Sequence, residues 1–391
     1  MLVTPLVTSL VQPLVTPLAQ LVPIFFMPLI SDLSIPIGIG PATFTRATTG
    51  TFVDKDTGLV TTAAIDAARF ETNGILIEGA STNLLLRSEE FDNAAWVKSN
   101  STISINTTTA PDGLITADTL VENTATNTHQ MGQIVSKAAS SIQFTLSIFV
   151  KAAGRDFIEI RPNDNAGNLA FGIFNLSTGV VHSSGTGGTG WTVDDTNIEA
   201  AANGFFRCSV IVTSNAATTI QSSFFLSIDG TQNQTYLGDG TSGVHHFGVD
   251  LEQLPFASSY IKTVASTVTR AADNLSVDAA NIPGPTLDYS VSCEVDVLGF
   301  LSGGADQPIY NISGEVARRL RAADNGAAAT LTHGSTITGS TLTANSVEKF
   351  AATKDAALFK LYQDSILKSS SAPGAVTGTK TAITIGNNIG V

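Results

Sequence analysis

Phe144-Thr145-Leu146-Ser147-Ile148-Phe149-Val150-Lys151 sets Phe144, Leu146, Ile148 and Val150 at every second position, with Thr145, Ser147 and Lys151 pointing the other way. A period of two is the pattern of a strand with one face on a core. The same alternation recurs in Phe206, Cys208, Val210 and Val212 against Arg207, Ser209 and Thr213, then in Phe224, Leu226 and Ile228, and again in Phe247, Val249 and Leu251. Glycine-rich breaks such as Ser184-Gly185-Thr186-Gly187-Gly188-Thr189-Gly190 separate these runs. Such a series predicts an antiparallel β-sandwich over residues 87–278, closed as a jelly roll. After Pro283-Gly284-Pro285 the alternation resumes in Tyr289 to Val297 and continues to Thr381-Ala382-Ile383-Thr384-Ile385-Gly386. This predicts a second, smaller sandwich over 287–391, whole or incomplete, with residues 43–86 as a β-rich connecting segment. The fold class is therefore all-β: tandem antiparallel β-sandwiches with an extended, proline-rich N-terminal anchor.

Composition agrees. The 391 residues include 34 glycines and only 14% charged side chains, a profile that suits many short strands joined by turns rather than helices. The formal net charge of −13 argues against nucleic acid, which needs clustered Lys and Arg to displace counterions. An anionic membrane surface is disfavoured for the same reason. Cys208 and Cys293 fall in separate predicted strands and read as buried free thiols, with no disulfide framework or zinc site available.

The first 45 residues stand apart. They carry one charge, Asp32, and seven of the chain's 14 prolines, and they repeat Leu2-Val3-Thr4-Pro5, Leu6-Val7-Thr8-Ser9, Leu10-Val11-Gln12-Pro13 and Leu14-Val15-Thr16-Pro17. A helix would align Leu2, Leu6, Leu10, Leu14 and Leu18 on one stripe, but each interior proline costs it about 3 kcal/mol. A signal peptide needs a basic start, and the first basic residue is Arg46. A membrane span needs about 20 apolar residues with closed backbone bonding, which the prolines prevent. An extended or polyproline-like segment over 1–42 remains, buried by a partner through Leu2, Leu6, Leu10, Leu14, Leu18, Phe25 and Phe26. The competing expectation, a disordered leader, fits poorly with so much Leu, Val and Phe.

Three blocks carry a family resemblance. The first is Phe44-Thr45-Arg46-Ala47-Thr48 with Arg69-Phe70-Glu71. The second is Gly74-Ile75-Leu76-Ile77-Glu78-Gly79-Ala80-Ser81-Thr82-Asn83-Leu84-Leu85, followed by Ser88-Glu89-Glu90-Phe91-Asp92-Asn93-Ala94-Ala95-Trp96. The third is Phe247-Gly248-Val249-Asp250-Leu251-Glu252 with Ala257-Ser258-Ser259-Tyr260-Ile261 and Val268-Thr269-Arg270-Ala271-Ala272-Asp273. In order and spacing they resemble tailed-phage virion proteins, namely fibres, spikes or decorations with concanavalin A-like, LamG-type or carbohydrate-binding-module-like jelly rolls. The resemblance implies a virion protein on the particle surface, held to other capsid or tail proteins through residues 1–42. It also implies contact with host surface glycans and, by analogy with fibres, a homotrimer. A capsid decoration or cement protein without ligand is the alternative. Where relatives continue past Ile385 with a further strand, this chain ends at Val391, so a neighbouring subunit is expected to cover the exposed edge.

Catalytic signatures are lacking. No His-x-Glu-His or Gly-x-Ser-x-Gly pattern surrounds the five histidines, and no enzyme is expected. His245 and His246 are neighbours in one strand and point to opposite faces, one toward the core. Asp250 and Glu252 share a strand face and could stand as the paired acids of a glycosidase, though a polar outer face explains them better. For glycan binding the candidates are Trp191, Tyr236 and His246, placed in or near loops that could frame a concave face. Asp229-Gly230-Thr231 and Asp239-Gly240-Thr241 read as β-turns, with a calcium ion as the lesser reading and no other cofactor.

Overall fold

The computed structural model describes residues 2–4, 31–33, 41–278, 280, 289–297, 307–315, 318–322, 329–333, 335–338, 346–354, 358–371 and 378–385. Its chain divides into two compact units, both discontinuous in sequence: residues 50–62 with 81–270, and residues 1–49, 63–80 and 271–391. Every pairing between named strands is antiparallel, and the described residues hold no α-helix. The predicted all-β antiparallel sandwich class is what the chain adopts.

The first unit packs two six-stranded sheets. One runs Thr192–Ala200, Phe206–Thr213, Gln143–Ala153, Gly243–Glu252, Ile115–Glu122, Ser101–Thr109. The other runs Val180–Gly187, Leu169–Asn175, Phe157–Asn163, Thr219–Ser227, Gln130–Ser136, Val97–Ser99. Between them Phe144, Leu146, Ile148 and Val150 meet Cys208, Val210 and Val212, with Ile158, Ile160, Phe174, Phe224 and Leu226 opposite, all buried. The alternation read from the sequence thus places the core. Two details differ. Ile228 lies beyond the end of Thr219–Ser227 and is exposed. Phe247 does not share a face with Val249 and Leu251, because a bulge intervenes: Ser147 pairs with Asp250 but Phe149 pairs with Phe247. Gly248, at φ 57°, makes that bulge, a backbone state open to glycine at little cost. Phe247 therefore joins Phe149, Phe205 and Tyr260 in a separate cluster on the outer face of the sheet.

That outer face is covered as well. Thr145 and Ser147 are buried, and Thr145 Oγ1 donates to the Leu254 carbonyl at 2.8 Å. Asn83 clamps the covering segment: its Nδ2 donates to the carbonyls of Val249 (2.9 Å) and Ile261 (2.8 Å), and its Oδ1 accepts from the amides of Leu85 and Leu251.

The second unit contains two seven-stranded sheets assembled from distant stretches. One runs Ile366–Ser371, Phe359–Gln363, Ser346–Lys354, Tyr289–Val297, Leu2–Thr4, Gly74–Leu76, Arg69–Glu71. The other runs Thr43–Thr45, Asn274–Asp278, Gly378–Ile385, Gln307–Glu315, Arg318–Ala322, Ala329–His333, Ser335–Thr338. The expected open edge at the last strand does not exist. Gly378–Ile385 pairs on one side with Gln307–Glu315 and on the other with Asn274–Asp278 of the same chain, so no neighbouring subunit is needed there. Buried ion pairs tie this unit together. Arg46 Nη1 stands 3.2 Å from Asp273 Oδ1, Arg69 reaches the other Asp273 oxygen, and Arg69 Nη1 lies 2.7 Å from Glu78 Oε2.

Candidate functional site

An open groove of about 570 Å³ lies along the side of the 50–62/81–270 unit, within the size range of ligand clefts. Its walls are the edge strand of each sheet, Val180–Gly187 and Thr192–Ala200, and it is lined by Ser184, Thr186, Trp191, Thr192 and the acids Asp194 and Asp195. The glycine-rich link between the strands makes this possible. Gly188 and Gly190 have φ of 73° and 74°, and the chain turns from one sheet to the other within four residues. Trp191, the first residue after the turn, anchors the groove to the core and is 5% exposed. Its indole Nε1 donates to no protein acceptor among the described residues.

Both walls carry a bulge. Val193 pairs with Val212 and Asp195 with Ile211, leaving Asp194 as the extra residue; Ile173 pairs with Ser183 and Phe174 with Val181, leaving His182. Bulges and charges blunt an edge strand against further strand pairing. The carboxylate of Asp194 is held in place. Its Oδ1 accepts from Thr192 Oγ1 at 2.8 Å, and its Oδ2 accepts from Thr213 Oγ1 at 2.7 Å and Gln143 Nε2 at 2.8 Å. Asp195 is exposed and accepts its hydrogen bond from the Thr196 amide. Hydroxyls, fixed carboxylate oxygens and an indole edge in an open cleft make a surface suited to a ligand rich in hydroxyl groups.

Of the three aromatic candidates, only Trp191 lies at the groove, and it forms part of the floor rather than an exposed stacking face. Tyr236, 7% exposed, donates its hydroxyl to Glu122 Oε2 at 2.6 Å. Arg155 closes the cluster with contacts of 2.8 and 2.5 Å to Glu122. Burial and the Glu122 carboxylate push the Tyr236 phenol well above its ordinary range. His246, 1% exposed, faces the core as one of the two histidines was expected to; its ring lies 5.9 Å from Phe91 and 6.2 Å from Phe224. Burial holds it down to about 4. A sugar ring needs an accessible aromatic face, so Tyr236 and His246 are corrected to structural roles. Leu2, expected to be buried by a partner, is corrected: it pairs within its own chain, opposite Asp296 and Leu76, while Leu6, Leu10, Leu14, Leu18, Phe25 and Phe26 lie outside the described residues. Sequence reasoning missed Ser184, Thr186, Thr192, Asp194 and Asp195. The one available signal was two acids side by side in a strand that otherwise alternates.

Asp250 and Glu252 share the outer face as expected, yet they are sealed. Glu252 Oε1 accepts from Ser81 Oγ at 2.6 Å and from Ser258 Oγ, Oε2 accepts from the Ser258 amide at 3.0 Å, and Asp250 Oδ2 accepts from the Ile261 amide at 3.0 Å. Burial raises both carboxyls, and the charge of Glu252 adds to the rise at Asp250. Two acids under a protein lid have no cleft in which to flank a glycosidic bond. The two turn aspartates spend their oxygens locally. Asp239 takes the amides of Thr241 and Ser242 and both of their hydroxyls, which holds its carboxyl far below the usual range, while Asp229 takes the Thr231 amide and Gln234 Nε2. Among the described residues no cluster of three His, Cys, Asp or Glu is arranged to hold a metal ion, and no helix is long and apolar enough to cross a membrane.

Fold and groove define a β-sandwich protein with an open polar cleft on the side of one sandwich. No family model matches the chain, and no curated protein matches its sequence. Among solved structures, the mouse laminin alpha1 chain, domains LG4-5, aligns with 67% of this chain and 79% of its own at 11% identity and a TM-score of 0.19.

Proposed function

We propose that this chain is a surface appendage of a tailed-phage particle, mounted through its N-terminal segment, and that the groove between Val180–Gly187 and Thr192–Ala200 binds host surface glycans. The observation that carries the glycan reading is the groove itself: Ser184, Thr186, Thr192 and two carboxylates disposed around the edge of Trp191. Saccharide hydroxyls pair well with such fixed donors and acceptors. The appendage reading draws on the three sequence blocks and on the uncharged, proline-punctuated leader. The concanavalin A-like or LamG-type assignment, the trimer and the head or tail position belong to the same proposal.

The test uses the full chain on a glycan array. Binding to a defined set of saccharides is expected, with a tenfold or greater loss in a Ser184→Ala, Thr186→Val, Asp195→Ala triple variant whose melting is unchanged. All three side chains avoid the core, so lost binding would not reflect lost folding. An array on which the wild-type chain binds nothing would favour the ligand-free decoration protein.

A further inference from the structure

We infer that Leu2–Thr4 is an exchangeable donor strand, and that the slot it fills in the 1–49/63–80/271–391 unit accepts the same strand from a second copy of this chain. This goes beyond the glycan reading and does not rest on it. The strand has three residues and lies inside its sheet, paired on both sides. Leu2, Val3 and Thr4 stand opposite Asp296, Val295 and Glu294, and Leu2 and Val3 stand opposite Leu76 and Ile75. Each flanking strand is already paired on its far side, Tyr289–Val297 with Ser346–Lys354 and Gly74–Leu76 with Arg69–Glu71. The slot is thus a gap between two preformed ladders. Unfilled, it would present two facing rows of unpaired amides and carbonyls, the arrangement that captures extended peptides by strand addition.

The sequence offers more donors than the slot needs. Leu2-Val3-Thr4 recurs as Leu6-Val7-Thr8 and Leu14-Val15-Thr16, with Leu10-Val11-Gln12 one residue different, while a single slot of this kind is found among the described residues. Pro5 follows the tripeptide in the sequence, and proline has no amide to donate to a ladder. A three-residue insertion makes few contacts, and a strand from a second copy makes the same ones. Concentration and tether length then decide between closure within a chain and exchange between chains, which is the condition for domain swapping.

The test uses two full-length chains, both Cys208→Ala and Cys293→Ala, one carrying Val3→Cys and the other Val295→Cys. Refolded together at high concentration and oxidised, they are expected to form an intermolecular disulfide between the two engineered positions, located by peptide mapping. A chain bearing both substitutions is expected to close the disulfide internally when refolded dilute. Absence of the intermolecular bond, with the internal one forming, would overturn exchange; failure of both would overturn the register on which exchange depends. As a measurement free of substitutions, wild-type chain refolded at rising concentration should give a rising fraction of dimer or larger species by mass, and a monomer at every concentration would equally overturn the proposal.

Discussion

Asp273 shows what the sequence blocks are for at the level of single residues. Arg46, Arg69, Glu78 and Asp273 come from three separated stretches and meet with no exposure of the Arg46, Arg69 and Asp273 side chains. The Asp273 carboxylate also accepts the Glu78 amide at 2.8 Å, and Arg46 spends Nε and Nη2 on the carbonyls of Thr48 and Ala64. Removing one member of such a network leaves charge buried without compensation, so Asp273→Ala should cost about 3–5 kcal/mol by denaturant unfolding. Two other buried groups set opposite pH slopes. His246, depressed from 6.5 to about 4, favours the folded state fully above pH 6.5, and that stability is lost as the pH falls through about 4. The loss should be on the order of 3 kcal/mol, and a His246→Leu chain should lack it. Asp250 is raised, so its contribution is present below the ordinary range near 3.8 and is lost as the pH rises through its folded value. Asp250→Asn should flatten that limb, and an unchanged slope in the unfolding free energy would count against the assignment.

At the scale of elements, strand Gly243–Glu252 marks the boundary between what the sequence reveals and what it conceals. Its alternation correctly predicts a strand with Val249 and Leu251 on the core, because burial on one face imposes a period of two. The bulge at Gly248 is invisible to that argument. One inserted residue moves Phe247 to the outer cluster and brings His246 to the core, exchanging the roles that strict alternation assigns. A Cβ at position 248 would sit 3.1 Å from a Phe149 ring carbon and 3.2 Å from one of Tyr260, at a positive φ. Gly248→Ala is therefore expected to destabilise by about 1–3 kcal/mol, read from the denaturant midpoint. The groove was concealed for a related reason. Trp191 was legible as an aromatic beside a glycine-rich break, but Ser184 and Thr186, which complete the groove, lie on a strand of the other sheet. The bulges at His182 and Asp194 that shape the walls carry no periodic signal.

Over the whole molecule, the two units are interleaved along the chain, and short strands scattered through a sequence are harder to read linearly than strands that follow one another. The 50–62/81–270 unit is nearly continuous, so its strands follow one another and their period announces them. The other unit recruits Leu2–Thr4, Thr43–Thr45, Arg69–Glu71, Gly74–Leu76 and Asn274–Asp278, three to five residues each, too short to show a period on their own. A strand of that length gains its place from the ladder it joins, and a last strand that looks exposed in the sequence finds its neighbour a hundred residues upstream. Distinct polar and apolar centres then make the units separable by mutation. Asp273 belongs to one and Gly248 to the other. In scanning calorimetry the wild-type chain should give two transitions, with Asp273→Ala lowering one and Gly248→Ala lowering the other, since a substitution acts on the cooperative unit whose contacts it removes. Both variants displacing one shared transition by the same amount would mean that the interleaved strands couple the sandwiches into a single folding unit.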